Sequence, residues 1–222
     1  METRSEFHRQ LRAVQDDVLA VGSMVAKALT RAMDALKNRD LKLAQQVIED
    51  DKKINAMRFE IEERCVELIA TQAPMASDLR VIIGVLNIIT ELERIGDHAE
   101  GNARIAIMIG DEPPLKPYID LPRMTERCVD MLNRSMAAMM DRDVASAREI
   151  IREDDIVDNL YDQVFRELLT FMIEDPRTIS RATRLIWAAH NLERSADRIT
   201  NICERVIFMA TGRMEEQGGS KY

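Results

Sequence analysis

The sequence predicts an all-α protein built as two tandem three-helix bundles, up-down and antiparallel, related by an internal duplication. Three observations predict it. The composition is helical: abundant Ala, Leu, Met, Glu and Arg, with only 8 Gly and 6 Pro in 222 residues. Four of those prolines fall in one segment near the middle of the chain. And the stretches on either side of that segment repeat each other in order and spacing.

The repeat is read directly from the residues. Asn38-Arg39-Asp40 matches Asp141-Arg142-Asp143, and Asp51 with Asn55 matches Asp154 with Asp158, both at an offset of 103. Leu92-Glu93-Arg94-x-x-Asp97 matches Leu192-Glu193-Arg194-x-x-Asp197 at an offset of 100. The three-residue slip falls in a connection, Ala73-Pro74 or Asp175-Pro176, where a change of length costs little.

The elements follow in order. In the first bundle (1–110), helices are expected over 6–38, 41–71 and 77–109. Pro113, Pro114, Pro117 and Pro122, with Gly110, then bar a helix, so 111–122 reads as a linker. The second bundle (123–211) repeats the plan over 123–142, 144–174 and 178–209, and 212–222 reads as a flexible tail. Joins of a few residues make successive helices antiparallel. With 46% hydrophobic but 4% aromatic residues, the core must be aliphatic, with the 14 methionines filling gaps.

Charge and cysteine usage exclude several classes. A net charge of −8 argues against nucleic-acid binding and against attraction to anionic membranes, and fits a protein that draws cations or basic partner surfaces. Cys65, Cys128 and Cys203 are odd in number and form no C-x-x-C, so they read as buried thiols in a reducing compartment. The N-terminal residues lack the apolar run of a signal peptide, and no stretch reaches the ~20 apolar residues of a membrane helix. A cytoplasmic protein is expected.

The third helix of each half carries the informative pattern. Val81, Val85, Ile88, Leu92, Ile95, Ala99, Ala103 and Ala106 recur at steps of three and four, forming the core face. Beside it runs a second stripe, Ile82, Leu86, Ile89, Glu93, Asp97 and Glu100, which begins apolar and turns acidic. The second half repeats the change with Ala182, Ile186 and Ala189 followed by Glu193 and Asp197. On the second helix of each half, Asp51 with Asn55 and Asp154 with Asp158 occupy matching positions.

Residues four apart are neighbours on a helix. Two carboxylates about 5–6 Å apart repel by roughly 3 kcal/mol at an effective dielectric near 20. Repeated acidic pairs therefore call for a counter-charge, and hard or borderline metals accept carboxylate oxygens. Asp51, Asn55, Glu93, Asp97, Asp154, Asp158, Glu193 and Asp197 are the candidate metal ligands. The competing reading is a pair of solvated faces balanced by Arg94 and Arg194. The histidines (His8, His98 and His190) read as surface or packing residues, since no Glu-x-x-His element is present. Trp187 reads as a packing residue, and Met131, Met136, Met139 and Met140 as core or interface packing. No phosphate loop, H-E-x-x-H or nucleophile elbow occurs, so no enzyme is expected.

These residues resemble the PhoU family, regulators of phosphate uptake, over almost the whole chain. The most specific marks are Leu92-Glu93-Arg94-Ile95-Gly96-Asp97, Leu192-Glu193-Arg194-x-x-Asp197, the stretch from Pro74 to Arg80, and the linker Pro113-Pro-Leu-Lys-Pro117. The resemblance implies two pseudo-symmetric bundles and metal, iron or zinc in some members, at the Glu-x-x-x-Asp motifs; magnesium, manganese and calcium stay open. Asn55 departs from the family's Asp and implies a weaker first site. The resemblance further implies a non-enzymatic negative regulator that is commonly a homodimer. Its implied partners are the ATPase subunit of a phosphate ABC transporter and a phosphate-sensing histidine kinase, so that it meets the membrane only through them. The alternatives to that role are a carboxylate-metal enzyme and a metal-free helical scaffold.

Overall fold

Six long helices carry the chain: α1 (Glu2–Asn38), α2 (Leu41–Gln72), α3 (Ala76–Ile109), α4 (Asp120–Asp141), α5 (Val144–Glu174) and α6 (Ile179–Thr211). The computed structural model describes residues 2–214, with side chains from residue 4. Among the described residues there is no strand, and a single 3-10 turn, Pro176–Thr178, leads into α6. Of the tail expected over 212–222, residues 215–222 lie outside the described residues.

The tight joins are built alike in the two halves. Arg39 and Arg142 adopt left-handed backbone (φ +56° and +52°) at the ends of α1 and α4. The next residue caps the following helix: Asp40 accepts from the Leu43 amide, and Asp143 from the amides of Ala145 and Ser146. Glycine is the usual residue for such a backbone. Arg39 is put to use there, since its guanidinium reaches the linker carbonyl of Asp111 at 3.3 Å.

One expectation about the linker is corrected. Helix α4 begins at Asp120, so Pro122 lies inside its first turn rather than ahead of it. Proline is tolerated there because the first amides of a helix have no acceptor within the helix. The remainder of the linker is held from both sides. Arg181 donates to the Pro113 carbonyl and Arg184 to the Met108 carbonyl, each at 2.7 Å. The Lys116 ammonium bridges Asp120 and Glu167.

The two bundles share one core. Helix α3 packs along α6 and α1 against α4, whereas α2 and α5 touch only helices of their own halves. Every member of the seam read from the sequence, from Val81 to Ala106, is buried. Gly84 shows how closely α3 approaches α6: a Cβ there would lie 2.4 Å from the Met209 side chain. Asn191 donates to Asn102 across this contact at 2.9 Å, and Glu91 faces Arg198 at 3.4 Å.

The cysteines are buried free thiols, their pKa values pushed by burial up to about 11 for Cys65 and about 12 for Cys128 and Cys203. Met131, Met136 and Met139 are buried as expected. Trp187 is not a packing residue; it is 53% exposed on the outer side of α6. No helix among the described residues is long and apolar enough to cross a membrane.

Candidate metal centre

The acidic stripes face the acids of the neighbouring helix. In the first half, Asp51 and Asn55 of α2 meet Glu93, Asp97 and Glu100 of α3. In the second, Asp154 and Asp158 of α5 meet Glu193 and Asp197 of α6. All eight residues read from the sequence thus fall into two clusters, each on the seam between two helices.

Local packing explains the first cluster. Helix α2 comes close to α3 at Gly96, where a Cβ would sit 3.3 Å from Asp51 Oδ1 and 3.4 Å from Ile54 Cδ1. Asp51 is consequently buried (7% exposed) and accepts from the Asn55 amide at 2.9 Å. Burial, with Asp97 and Glu100 nearby, raises its pKa to about 6, although the Asn55 hydrogen bond opposes the rise. Asp97 is pushed up as well, first by burial and then by Glu93 and Glu100. Arg58 of α2 enters from the side, its guanidinium 2.8 Å from Glu93 and 2.9 Å from Glu62. Glu100 is paired along the helix with Arg104.

The second cluster is more strongly perturbed. Asp154 is raised to about 7 by burial and by Asp158, Asp197 and Glu193. Glu193 is raised to about 7 by burial and by Asp197, against the pull of Arg194. Arg194 turns to Asp197 at 3.0 Å. His190 Nδ1 lies 3.1 Å from Glu193 Oε2, yet off the line needed to donate a hydrogen bond to it. Its pKa is lowered, chiefly by burial and then by Arg194, with Asp197 opposing. Tyr161 packs its ring against that of His190, centroids 5.9 Å apart.

His190 and Arg58 are the site residues that sequence reasoning missed. His190 stands one turn before Glu193, a spacing that offered a signal. Arg58 offered none, because its partner Glu93 lies 35 residues away on another helix. His98, read as a packing or surface residue, has a buried ring nitrogen without a hydrogen-bond partner. Burial and the nearby Arg198 and Arg194 lower its pKa to about 4.

The donor chemistry suits a cation. Among the described residues, the buried side-chain oxygens that lack a hydrogen-bond partner are Asp51 Oδ1, Asn55 Oδ1, Asp154 Oδ1 and Glu193 Oε2. All four belong to the two clusters. Buried acceptors without donors cost about 1–3 kcal/mol each unless something positive meets them. As placed, no three Asp, Glu, His or Cys side chains among the described residues converge to enclose one ion. Several are turned toward local cations, Glu93 to Arg58, Glu100 to Arg104 and Asp197 to Arg194.

Comparison with known proteins agrees with this architecture. The PhoU domain pattern matches residues 18–106 and again 121–206, one copy per bundle. The phosphate-specific transport system accessory protein PhoU homolog of Aquifex aeolicus is 39% identical over 209 residues, covering 94% of this chain and 95% of the relative. The Escherichia coli accessory protein PhoU is 36% identical over 208 residues, covering 94% and 86%. The crystal structure of PhoU from Pseudomonas aeruginosa superimposes with a TM-score of 0.89 at 39% identity, covering 93% of this chain and all of that one. The phosphate transport system regulatory protein PhoU from Streptococcus pneumoniae gives 0.89 at 28% identity, covering 95% and 100%. These names describe accessory or regulatory proteins rather than enzymes, as the sequence reading expects. With both repeats matched and relatives aligned over nearly its full length, the chain belongs to the PhoU family.

Proposed function

We propose that this protein is a non-enzymatic regulator of phosphate uptake. It acts from the cytoplasm as a homodimer, between the ATPase subunit of a phosphate ABC transporter and a phosphate-sensing histidine kinase. The observation that carries the reading is the full-length match to proteins named as accessory components of phosphate-specific transport. The net charge of −8 and the outer helices, each open on one side, suit docking to basic or helical partner surfaces. Deleting the gene should leave a phosphate-starvation reporter high in phosphate-rich medium. Normal repression in the deletion strain counts against the role.

The two acidic clusters serve this function as cation sites. Asp51, Asn55, Glu93 and Asp97 would hold one, and Asp154, Asp158, Glu193 and Asp197 the other. A bound cation supplies the charge that the orphaned oxygens lack, and it ties α2 to α3 and α5 to α6. The protein's own side chains then set the shape of the docking surface. Elemental analysis after gentle purification, on wild type and on Glu93→Ala/Asp97→Ala with Glu193→Ala/Asp197→Ala, tests this. Equal trace metal in both proteins means that the clusters are not the site.

A further inference from the structure

The duplication relates α3 to α6 through matched positions, and the contact between them carries a second charged pattern. Arg94 matches Arg194, and His98 matches Arg198. The contacts Gly84–Met209, Glu91–Arg198 and Asn102–Asn191 run the two helices antiparallel. That arrangement sets Arg94 and His98 against Arg198 and Arg194. All three guanidiniums stand close enough to act on the His98 ring. In a chain of net charge −8 this is a local concentration of positive charge. The acids of the same helices turn the other way, toward Asp51 of α2 and Asp154 of α5.

The counter-charges on this seam are incomplete. Glu91 faces Arg198 and Asn201, each at 3.4 Å. Its counterpart in the other half is Asn191, which brings no charge and donates to Asn102. Arg194 is drawn aside to Asp197 at 3.0 Å. Arg94 is exposed and has neither a hydrogen bond nor an ion pair among the described residues. Arg198 Nε and His98 Nε2 are buried without a hydrogen-bond partner. Buried polar atoms left so call for a partner from outside the chain.

We propose that the α3–α6 seam binds free inorganic phosphate, with Arg94, Arg194, Arg198 and His98 as its donors. The seam's own residues carry the anion site; the choice of phosphate among oxyanions rests on the proposed role in phosphate uptake.

The chemistry of the seam suits that ligand. A guanidinium offers two parallel N–H groups to a tetrahedral oxyanion. The anion supplies the acceptor that Arg198 Nε lacks, and that His98 lacks in the tautomer protonated at Nε2. It also brings the negative charge that Asn191 does not. Glu91 provides selectivity, because a carboxylate only accepts hydrogen bonds. Phosphate near neutral pH keeps a proton to donate to it. Sulfate has none and meets Glu91 as a like charge. The walls of the site come from different repeats, so a bound anion ties the two bundles across their shared seam.

The test is equilibrium dialysis of radiolabelled inorganic phosphate against the full-length protein at about 0.15 M ionic strength. Chelator in every arm keeps metal at the acidic clusters from holding the phosphate, and far-UV circular dichroism confirms the fold of each variant. Wild type should bind one phosphate per chain saturably, with sulfate weaker by about tenfold or more. Arg94→Gln/Arg194→Gln should weaken phosphate by about tenfold or more. Asn191→Glu, which copies the first-half residue, should abolish binding by adding a second acid. Glu91→Gln should let sulfate bind about as tightly as phosphate. Lys42→Gln/Lys52→Gln, on the exposed side of α2, should stay within about twofold of wild type. Absence of saturable phosphate in wild type, or equal weakening in the lysine variant, overturns the site. Sulfate bound as tightly as phosphate by wild type overturns the choice of ligand. Failure to bind phosphate in a protein whose deletion still derepresses the reporter would sink this site and leave the regulatory role standing.

Discussion

The inner helices α3 and α6 and the outer helices α2 and α5 come from the same repeat and lead different lives. The inner pair packs on each other and on both flanking helices, and its apolar residues are buried along most of their length, with Ile107 and Met108 of α3 and Ile179 and Trp187 of α6 exposed. The outer pair leans on one bundle only. It leaves Phe59, Val66 and Ile69 on α2, and Phe165, Leu169 and Ile173 on α5, open to solvent. Each acidic cluster lies on the seam between an inner and an outer helix. The inner helices therefore set the frame, and the groups at the seams decide how firmly the outer helices are attached. A charged cluster on a seam is a weak point without a counter-ion and a clamp with one.

The largest effect should come from cutting the frame. Leu192→Ala, at a fully buried position of α6, should cost about 3–5 kcal/mol in urea unfolding, with both halves lost in one transition. Leu168→Ala on α5 is also buried and should cost about 2–4 kcal/mol, but its loss should be local. Amide hydrogen exchange should quicken over α5 and leave α1–α3 near wild type. Uniform acceleration in the Leu168 variant would erase the distinction between inner and outer helices.

A smaller effect should follow pH. The carboxyls of Asp154 and Glu193 are raised to about 7 and that of Asp51 to about 6, chiefly by burial. For a raised carboxyl, the proton favours the folded state. Its cost is absent near pH 4, grows as pH rises toward the folded value, and is complete above it. Chelator-treated protein should thus melt at a higher temperature at pH 5.5 than at pH 8. On the proposed reading of the clusters as cation sites, zinc would need the ionised carboxylates, so any stabilisation by it should instead grow with pH. Asp154→Asn should stabilise the stripped protein at pH 8 by about 1–3 kcal/mol and abolish the gain from zinc. A melting temperature that rises with pH in chelator would mean that the seams carry no stored repulsion.

What the sequence disclosed was whatever repeats along one helix. The seam from Val81 to Ala106 and the change from Ile89 to Glu93 are periodicities, and a periodicity survives without knowledge of the neighbour. The eight acidic and amide residues came out the same way, through their matching offsets. What stayed hidden depends on which helix lies opposite. Arg58 reaches Glu93 only because α2 crosses α3 at Gly96, and nothing local to Arg58 marks that partner. Trp187 fits an apolar pattern yet faces solvent, since a helical wheel gives a direction and no knowledge of where the bundle ends. Pro122 misled for the opposite reason: a helix breaker by type, it is harmless in a first turn.

The smallest expected effect concerns a second tie between the outer helices and the frame. Arg31 of α1 pairs with Asp50 of α2 at 2.7 Å, and Arg134 of α4 pairs with Glu153 of α5 at 2.7 Å. The duplication maps one pair onto the other. Both are partly solvated, and Arg134 is shared with Asp130 and Glu149. Solvent and salt screen such pairs, so double-mutant cycles with alanine should give about 0.3–1 kcal/mol for each, falling further in 1 M salt. That is well below the pH-dependent cost at the acidic seams. If either pair instead couples by more than about 2 kcal/mol, the outer helices are held mainly by these bridges. Filling the acidic clusters with metal would then change their attachment little, and the clamp would have to be sought between α1 and α2 and between α4 and α5.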